Sequence, residues 1–175
     1  MTPSKVFIEQ AGPQDAAAIC NLLNRSYRGE TSRKGWTTEA DLIGGEVRTE
    51  TEEVSGLLTR PESVFLIHRD ADHILDACVH LQHRGQKAYL GMFAVEPVRQ
   101  NQGLGKALLR EAEGWANGRG CQAIFMYVIS ARLELITWYR RYGYKENGER
   151  VPFPEDGRSG HHLQPLEFII LEKKL

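Results

Sequence analysis

Between residues 63 and 95, three runs rich in β-branched and aromatic residues follow one another with almost no chain between them. They are SVFLIHR (63–69), HILDACVHLQ (73–82) and KAYLGMFAV (87–95), joined by the polar stretches RDAD and HRGQ. Connections this short join antiparallel neighbours, so the segment reads as a meander. The chain leaves the third run through VEPVRQNQGLGKALL (95–109) and at once begins a helix. Its Leu104, Leu108, Ala112, Trp115 and Ala116 form one apolar stripe, closed by Gly118 and Gly120. QAIFMYV (122–128) then reads as a strand with little alternation, as expected when both faces are covered. Any fold for this chain must therefore set a helix start against the end of its third meander strand.

The flanks extend this pattern. VFIE (6–9) reads as a short strand. After Gly12-Pro13, Asp15 is placed to cap a helix carrying Ala16, Ile19, Leu23 and Tyr27 at helical spacing. The polar stretch 28–45 is expected to start a second helix near Thr38, and a further helical piece covers 52–58 before Pro61. Leu135, Trp138, Tyr139 and Tyr142 share a helical face ahead of Gly143. Residues 146–164 read as a strand followed by a polar excursion, and LQPLEFIILEKKL returns a last strand. The order β-α-α-β-β-β-α-β-α-β-β predicts an α/β (α+β) fold. It is a single mixed, mostly antiparallel sheet with helices on both faces, forming one domain over residues 1–175.

Composition narrows the function classes. Lys+Arg number 22 against 23 Asp+Glu, a net charge of -1, so no general attraction to nucleic acid or acidic membrane is expected. The first residues lack the apolar run of a signal peptide and nothing approaches a membrane span, which makes a cytoplasmic location the default expectation. Cys20, Cys78 and Cys121 lie far apart in apolar segments and read as buried thiols. His161 and His162 are adjacent, and neighbouring side chains of an extended segment diverge, so no metal site is expected.

The turn QNQGLG (100–105) fails both common phosphate motifs. GLGKA has no hydroxyl residue after its lysine to meet Mg²⁺, and Leu108 stands where a dinucleotide fingerprint needs a third glycine. An anion site remains. Backbone N–H groups at a helix start, two glycines without Cβ atoms, and the nearby Arg99 and Lys106 all favour negative charge.

The run from the VxP strand end into RQNQGLGKALL resembles the acyl-CoA pyrophosphate motif of the GCN5-related N-acetyltransferase superfamily. That motif is Gln or Arg, two residues, Gly, one residue, then Gly or Ala, met by Gln100, Gly103 and Gly105. Tyr139, Gly143 and Tyr144 in WYRRYGY match the family's later Tyr-x3-Gly-aromatic pattern, and the element order matches along essentially the whole chain. The resemblance implies direct acetyl transfer from acetyl-CoA to a primary amine through a ternary complex. Gln100, Asn101, Gln102, Gly103, Leu104, Gly105 and Lys106 would hold the pyrophosphate. Phe93, Ala94 and Val95 would pair with the pantetheine arm where the next strand splays away. Many members carry an asparagine upstream of the tyrosine; here VISARLELITWY offers Ser130 or Arg132 instead. The resemblance also carries a mild expectation of a homodimer.

The chemistry assigns two further tasks. Holding an aliphatic amine neutral at pH 7 costs roughly 4 to 5 kcal/mol, so a base or a water chain ending at one is needed. Glu96, at the end of the third meander strand, is the first candidate, with Glu39 and Asp41 as competitors. Tyr139 is the expected general acid for the departing thiolate. The acceptor pocket is expected between residues 27–41 and 151–162. Tyr27, Trp36, Glu39 and Asp41 would suit a small amine, while Arg28, Arg33 and Lys34 would suit a carboxylate. Two other readings stand beside it: a peptide or protein amine as acceptor, or an acyl-CoA-binding module without catalysis.

Overall fold

A computed structural model of the protein describes residues 5–157 and 160–175. Met1 to Ser4 at the start, and Arg158 and Ser159 within the predicted excursion, lie outside the described residues. The strands are β1 (Glu9–Gln10), β2 (Ile43–Gly44), β3 (Ser63–Arg69), β4 (Leu75–Arg84), β5 (Lys87–Val95), β6 (Ala123–Ile129), β7 (Lys145–Pro152), β8 (His161–His162) and β9 (Glu167–Lys174). The helices are α1 (Ala16–Tyr27), α2 (Gly29–Ser32), α3 (Thr51–Leu58), α4 (Leu104–Gly118) and α5 (Leu133–Arg141). Seven strands form one sheet in the order β1-β3-β4-β5-β6-β9-β7, while β2 and β8 pair apart from it.

Every pairing in the large sheet is antiparallel except β5 with β6. That parallel pair is short: only Lys87 to Tyr89 are matched, with Ala123 to Phe125. Beyond Tyr89 the two strands part. On its other side β5 carries one extra residue against β4, since Cys78 faces Ala94 whereas His80 faces Gly91. Met92, at the bulge, has φ 44. A bulge bends its strand and increases local twist, which turns the end of β5 away from β6.

Both faces of the sheet are covered. Leu66, Val79, Leu81 and Leu90 face α4 through Leu104, Leu108, Leu109 and Ala112. Phe65, Ile67 and Cys78 face α1 and α3 through Ile19, Leu22, Leu23 and Val54. Neighbours in β3 thus serve opposite layers, which is why the strand reads as an unbroken apolar run. Ile19, Ile67 and Leu108 are fully buried, each stabilising the fold by about 2 kcal/mol. Cys20, Cys78 and Cys121 are buried and unbridged, and burial pushes the Cys78 thiol up to about 12.

Two sequence expectations need correction. The helix expected from Thr38 is absent; α2 comes earlier, and residues 37–42 form irregular chain and turns leading into β2. The Thr38 hydroxyl accepts the Ala40 N–H at 3.0 Å and meets Ser32 Oγ at 2.5 Å, and Glu39 is drawn inward to Arg28 and Arg132. Local side-chain bonds of this kind outcompete a helical turn. The first strand is also shorter than VFIE suggests, with pairing confined to Glu9 and Gln10. The excursion after β7 returns as β8, where His162 pairs with Ile43 and His161 with Gly44. This ties the two segments expected to cover the acceptor side directly to one another.

Candidate active site

The parting of β5 from β6 opens a cleft of about 310 Å³ beside the start of α4. Asn101 (φ 63) and Gly103 (φ 88) both take left-handed backbone conformations, which reverse the chain sharply into the helix. Gly103 is the N-cap and has no side chain to accept from the first turn, so those N–H groups remain available to an anion. A Cβ on Gly103 would meet nothing of the protein within 4 Å; the space above it is open. Lys106 and Arg141 add cations to the same cleft. Both are exposed, and among the described residues neither carries an ion pair. Arg141 was missed from sequence, although it follows Leu135 and Trp138 on the same helical face.

Gln100 organises the turn rather than only lining it. Its amide nitrogen donates to the Val95 carbonyl at 3.2 Å, and its amide oxygen accepts the Trp36 N–H at 2.8 Å. One side chain therefore fixes the end of β5 and the loop after α2. Arg99 is restrained as well, donating to Gln102 Oε1 at 3.1 Å and lying 3.6 Å from the buried Asp76.

A second cavity of about 780 Å³ lies across the sheet opening, lined in part by Arg28, Glu39, Arg48, His80, Tyr89, Tyr127, Phe153 and Phe168. Tyr27, Phe93, Arg132, Leu135 and Tyr139 line both cavities. Tyr139 is 4% exposed, and among the described residues nothing takes its hydroxyl in a hydrogen bond. Burial raises its pKa far above the ordinary phenol range, aided by Tyr27 and opposed by Arg132. The hydroxyl therefore stays protonated, the form a proton donor needs. Tyr27 is raised too, chiefly by burial, and donates to the Phe93 carbonyl at 2.7 Å.

Of the residues expected around the donor, Phe93, Ala94, Val95, Gln100, Asn101, Gly103, Leu104, Gly105, Lys106 and Arg132 line the first cleft. Gln102 does not, being turned to Arg99. Ser130, in the turn just after β6, lines a separate cavity with Leu133 and Ile136. Arg132 is directed to Glu39 at 3.2 Å and to Thr37 Oγ1 at 2.6 Å rather than toward the glycine turn. On the acceptor side, Glu39 lines the second cavity, ion-paired to both Arg28 and Arg132. Burial lowers the Arg28 pKa, and Glu39 counters it.

Trp36, expected on the acceptor side, lines the first cleft instead, carried there by the Gln100 bond. Asp41 lines neither cavity; it is exposed and bonded to Arg33 at 2.5 Å. Glu96 lines neither cavity as well. Its carboxylate accepts from Arg25 Nε at 2.6 Å, and that ion pair holds it against α1. Direct contact between Glu96 and an acceptor amine is therefore not what the geometry provides.

A splayed parallel pair, a bulge in one of its two strands and an uncapped helix start make one arrangement, and the family model described as "Acetyltransferase (GNAT) family" matches residues 16–144. The chain belongs to the GNAT acetyltransferase family. The matched span runs from the start of α1 through Tyr144, so this GNAT domain contains both cavities' shared wall. Aminoglycoside N(6')-acetyltransferase type 1 from Klebsiella aerogenes is 34% identical over 77 residues, covering 40% of this chain and 51% of that protein. The chain thus spans about half the length of the curated relative it matches. Solved structures share the GNAT fold. The ribosomal-protein-S18-alanine N-acetyltransferase from Escherichia coli has TM-score 0.71 and 18% identity, over 96% of this chain and 92% of that one. The PaiA N-acetyltransferase from Thermoplasma acidophilum, solved in complex with coenzyme A, has TM-score 0.70 and 20% identity, over 98% and 99%.

Proposed function

We propose that the protein is an acetyl-CoA-dependent N-acetyltransferase acting on the primary amine of a small molecule or amino-acid-like acceptor. One observation carries the reading: two cavities on opposite sides of the β5–β6 opening share Tyr139 in their common wall. Acetyl-CoA would supply the acetyl thioester from the first cleft. The residues there fit it: free N–H groups at the start of α4, the glycine positions 103 and 105, and the cations Lys106 and Arg141 for phosphate.

The second cavity would hold the acceptor, so that its nitrogen meets the thioester at the shared wall without an acyl-enzyme. Tyr139 keeps its proton and is the candidate donor to the thiolate. Proton removal by Glu96 would have to run through water, since Arg25 occupies its carboxylate. A small acceptor is favoured over a peptide because the β2–β8 pair joins the two covering segments across that side. An extended peptide groove would leave them apart.

The reading is tested by following thiol release from acetyl-CoA across a panel of amines, amino acids and peptides. Turnover with small amines and none with peptides is the expected result. Saturable coenzyme binding without release on any acceptor would turn the protein into a binding module.

A further inference from the structure

Within that reading, the second cavity says more about its occupant than that it bears an amine. Arg28 and Arg132 share Glu39, and Arg132 also lies 3.8 Å from Glu134, so these two cations have counter-charges within the protein. Arg48 is different. Its guanidinium lies 4.4 Å from the centroid of the Tyr27 ring, and among the described residues it makes no ion pair and no side-chain hydrogen bond; the negative charges of Glu39 and Glu53 act on it from farther away. Glu53, on the same cavity wall, takes its hydrogen bond from Thr49 Oγ1 instead.

The position of Arg48 is built, not incidental. Asn24 Oδ1 accepts both the Arg48 N–H at 2.7 Å and the Thr49 N–H at 3.0 Å, and Asn24 Nδ2 donates to the Thr49 carbonyl at 3.1 Å. The backbone is thereby clamped to α1. The ring beneath the guanidinium is fixed by the Tyr27–Phe93 bond. A stacked guanidinium keeps its planar fork of donors free for a bidentate partner, with little further ordering cost. Arg84 repeats the arrangement on the opposite wall, 4.4 Å over Tyr89, with Nε on Gln82 and its terminal nitrogens unengaged among the described residues. Arg48 is half-buried and Arg84 exposed, so a ligand entering the cavity can reach both guanidinium forks.

We propose that the acceptor is an amine carrying a carboxylate, an amino acid or close derivative, and that Arg48 is the specificity-determining residue that binds this carboxylate. Tyr27 lines both cavities, and Arg48 stacks on it. The anion site therefore stands one aromatic ring from the wall where the amine must arrive. That spacing fits a carboxylate a few bonds from the nitrogen. A polycationic amine of the aminoglycoside kind would meet Arg28, Arg48, Arg60, Arg84 and Arg132 there as well as Glu39, Glu50, Glu53 and Asp156, so the arginines outnumber the acids in the lining.

The test uses matched pairs of L-amino acids and their carboxamides, with kanamycin as the polycation. Thiol release is measured for each, and equilibrium binding is measured with coenzyme A present. The acid of the best pair should exceed its amide in kcat/KM by about tenfold or more, the usual effect of one charge-assisted bidentate contact. Arg48→Gln should collapse that ratio toward one, and Arg48→Lys, which keeps the charge, should retain part of it. Equal loss for acid and amide in Arg48→Gln, or preference for kanamycin, would overturn the proposal. If Arg48→Gln does not fold, Arg48→Lys carries the acid-to-amide measurement, and a ratio unchanged from the parent would overturn the proposal. Arg48-dependent binding of the acid with no thiol release would keep the anion site and remove the acyl-transfer reading. Amide turnover without any preference for acids would do the reverse.

Discussion

The Tyr27 hydroxyl donates to the Phe93 carbonyl at 2.7 Å, binding the last turn of α1 to the bulged end of β5. This bond spans 66 residues of sequence and sits where the two cavities meet. It fixes the strand that would receive the pantetheine arm and the ring that carries Arg48. Tyr27→Phe keeps the ring and removes the bond. A loss of about 1 kcal/mol in unfolding free energy is expected, with weaker acetyl-CoA binding. Urea melts and titration with coenzyme A check it; a variant equal to the parent in both would show that the bond does not hold β5.

Gly103 tests the anion site. Its φ of 88 is strained for any residue with a Cβ, and the open space above it is where a phosphate would approach. Gly103→Val should raise the acetyl-CoA dissociation constant about tenfold or more while the protein stays folded. Unchanged affinity in a folded variant would remove the pyrophosphate from this turn.

Tyr139→Phe tests the acid. A thiolate of coenzyme A is a fair leaving group, so the expected fall in turnover is about tenfold to a hundredfold, the low end for general acid catalysis. Coenzyme affinity should change little, because the ring stays among Phe93, Trp138 and Tyr144. Single-turnover kinetics at saturating substrates isolate the chemical step. An unchanged rate there would make Tyr139 a wall and nothing more.

Glu39 holds two arginines at once, both nearly buried. Glu39→Ala leaves those cations without their counter-charge, and a cost of about 3 to 5 kcal/mol is expected. Chemical denaturation measures it. A loss within about half a kcal/mol would show that water already screens the cluster, as it does for exposed pairs.

The reach of sequence reading follows from what each feature depends on. The glycine turn, the α4 stripe and Tyr139 are local patterns, so QNQGLG and WYRRYGY are legible in the sequence, and both stretches contribute to the lining of the first cleft. In the Arg28–Glu39–Arg132 cluster the Glu39–Arg132 bond spans 93 positions, and nothing in the spacing of Glu39 announces it. The same ion pairing bent the segment after Thr38 away from the helix expected there. Glu96 lay at the strand end as expected, but only the fold shows that Arg25 reaches it. Arg48 looks like any surface arginine in EVRTE until Asn24 and Tyr27 are seen to position it.

His80 supplies a prediction with a defined pH window. It is 3% exposed, shares a 2.6 Å hydrogen bond with Ser63 Oγ, and packs on Phe65. Burial, followed by Arg84 and Arg60, lowers its pKa to about 4 from the ordinary 6.5. In the unfolded chain it therefore binds a proton at a higher pH than in the folded one, and stability rises with pH across that interval. The destabilisation is absent above pH 6.5, grows as pH falls, and levels off below about 4, at about 3 kcal/mol in total. His80→Asn should lose less stability than the parent over this window by about that amount, as measured by urea melts at pH 7 and pH 4. Parallel curves for the two proteins would mean that folding does not lower the His80 pKa, and that the second cavity gains its positive charge in acid as readily as the unfolded chain does.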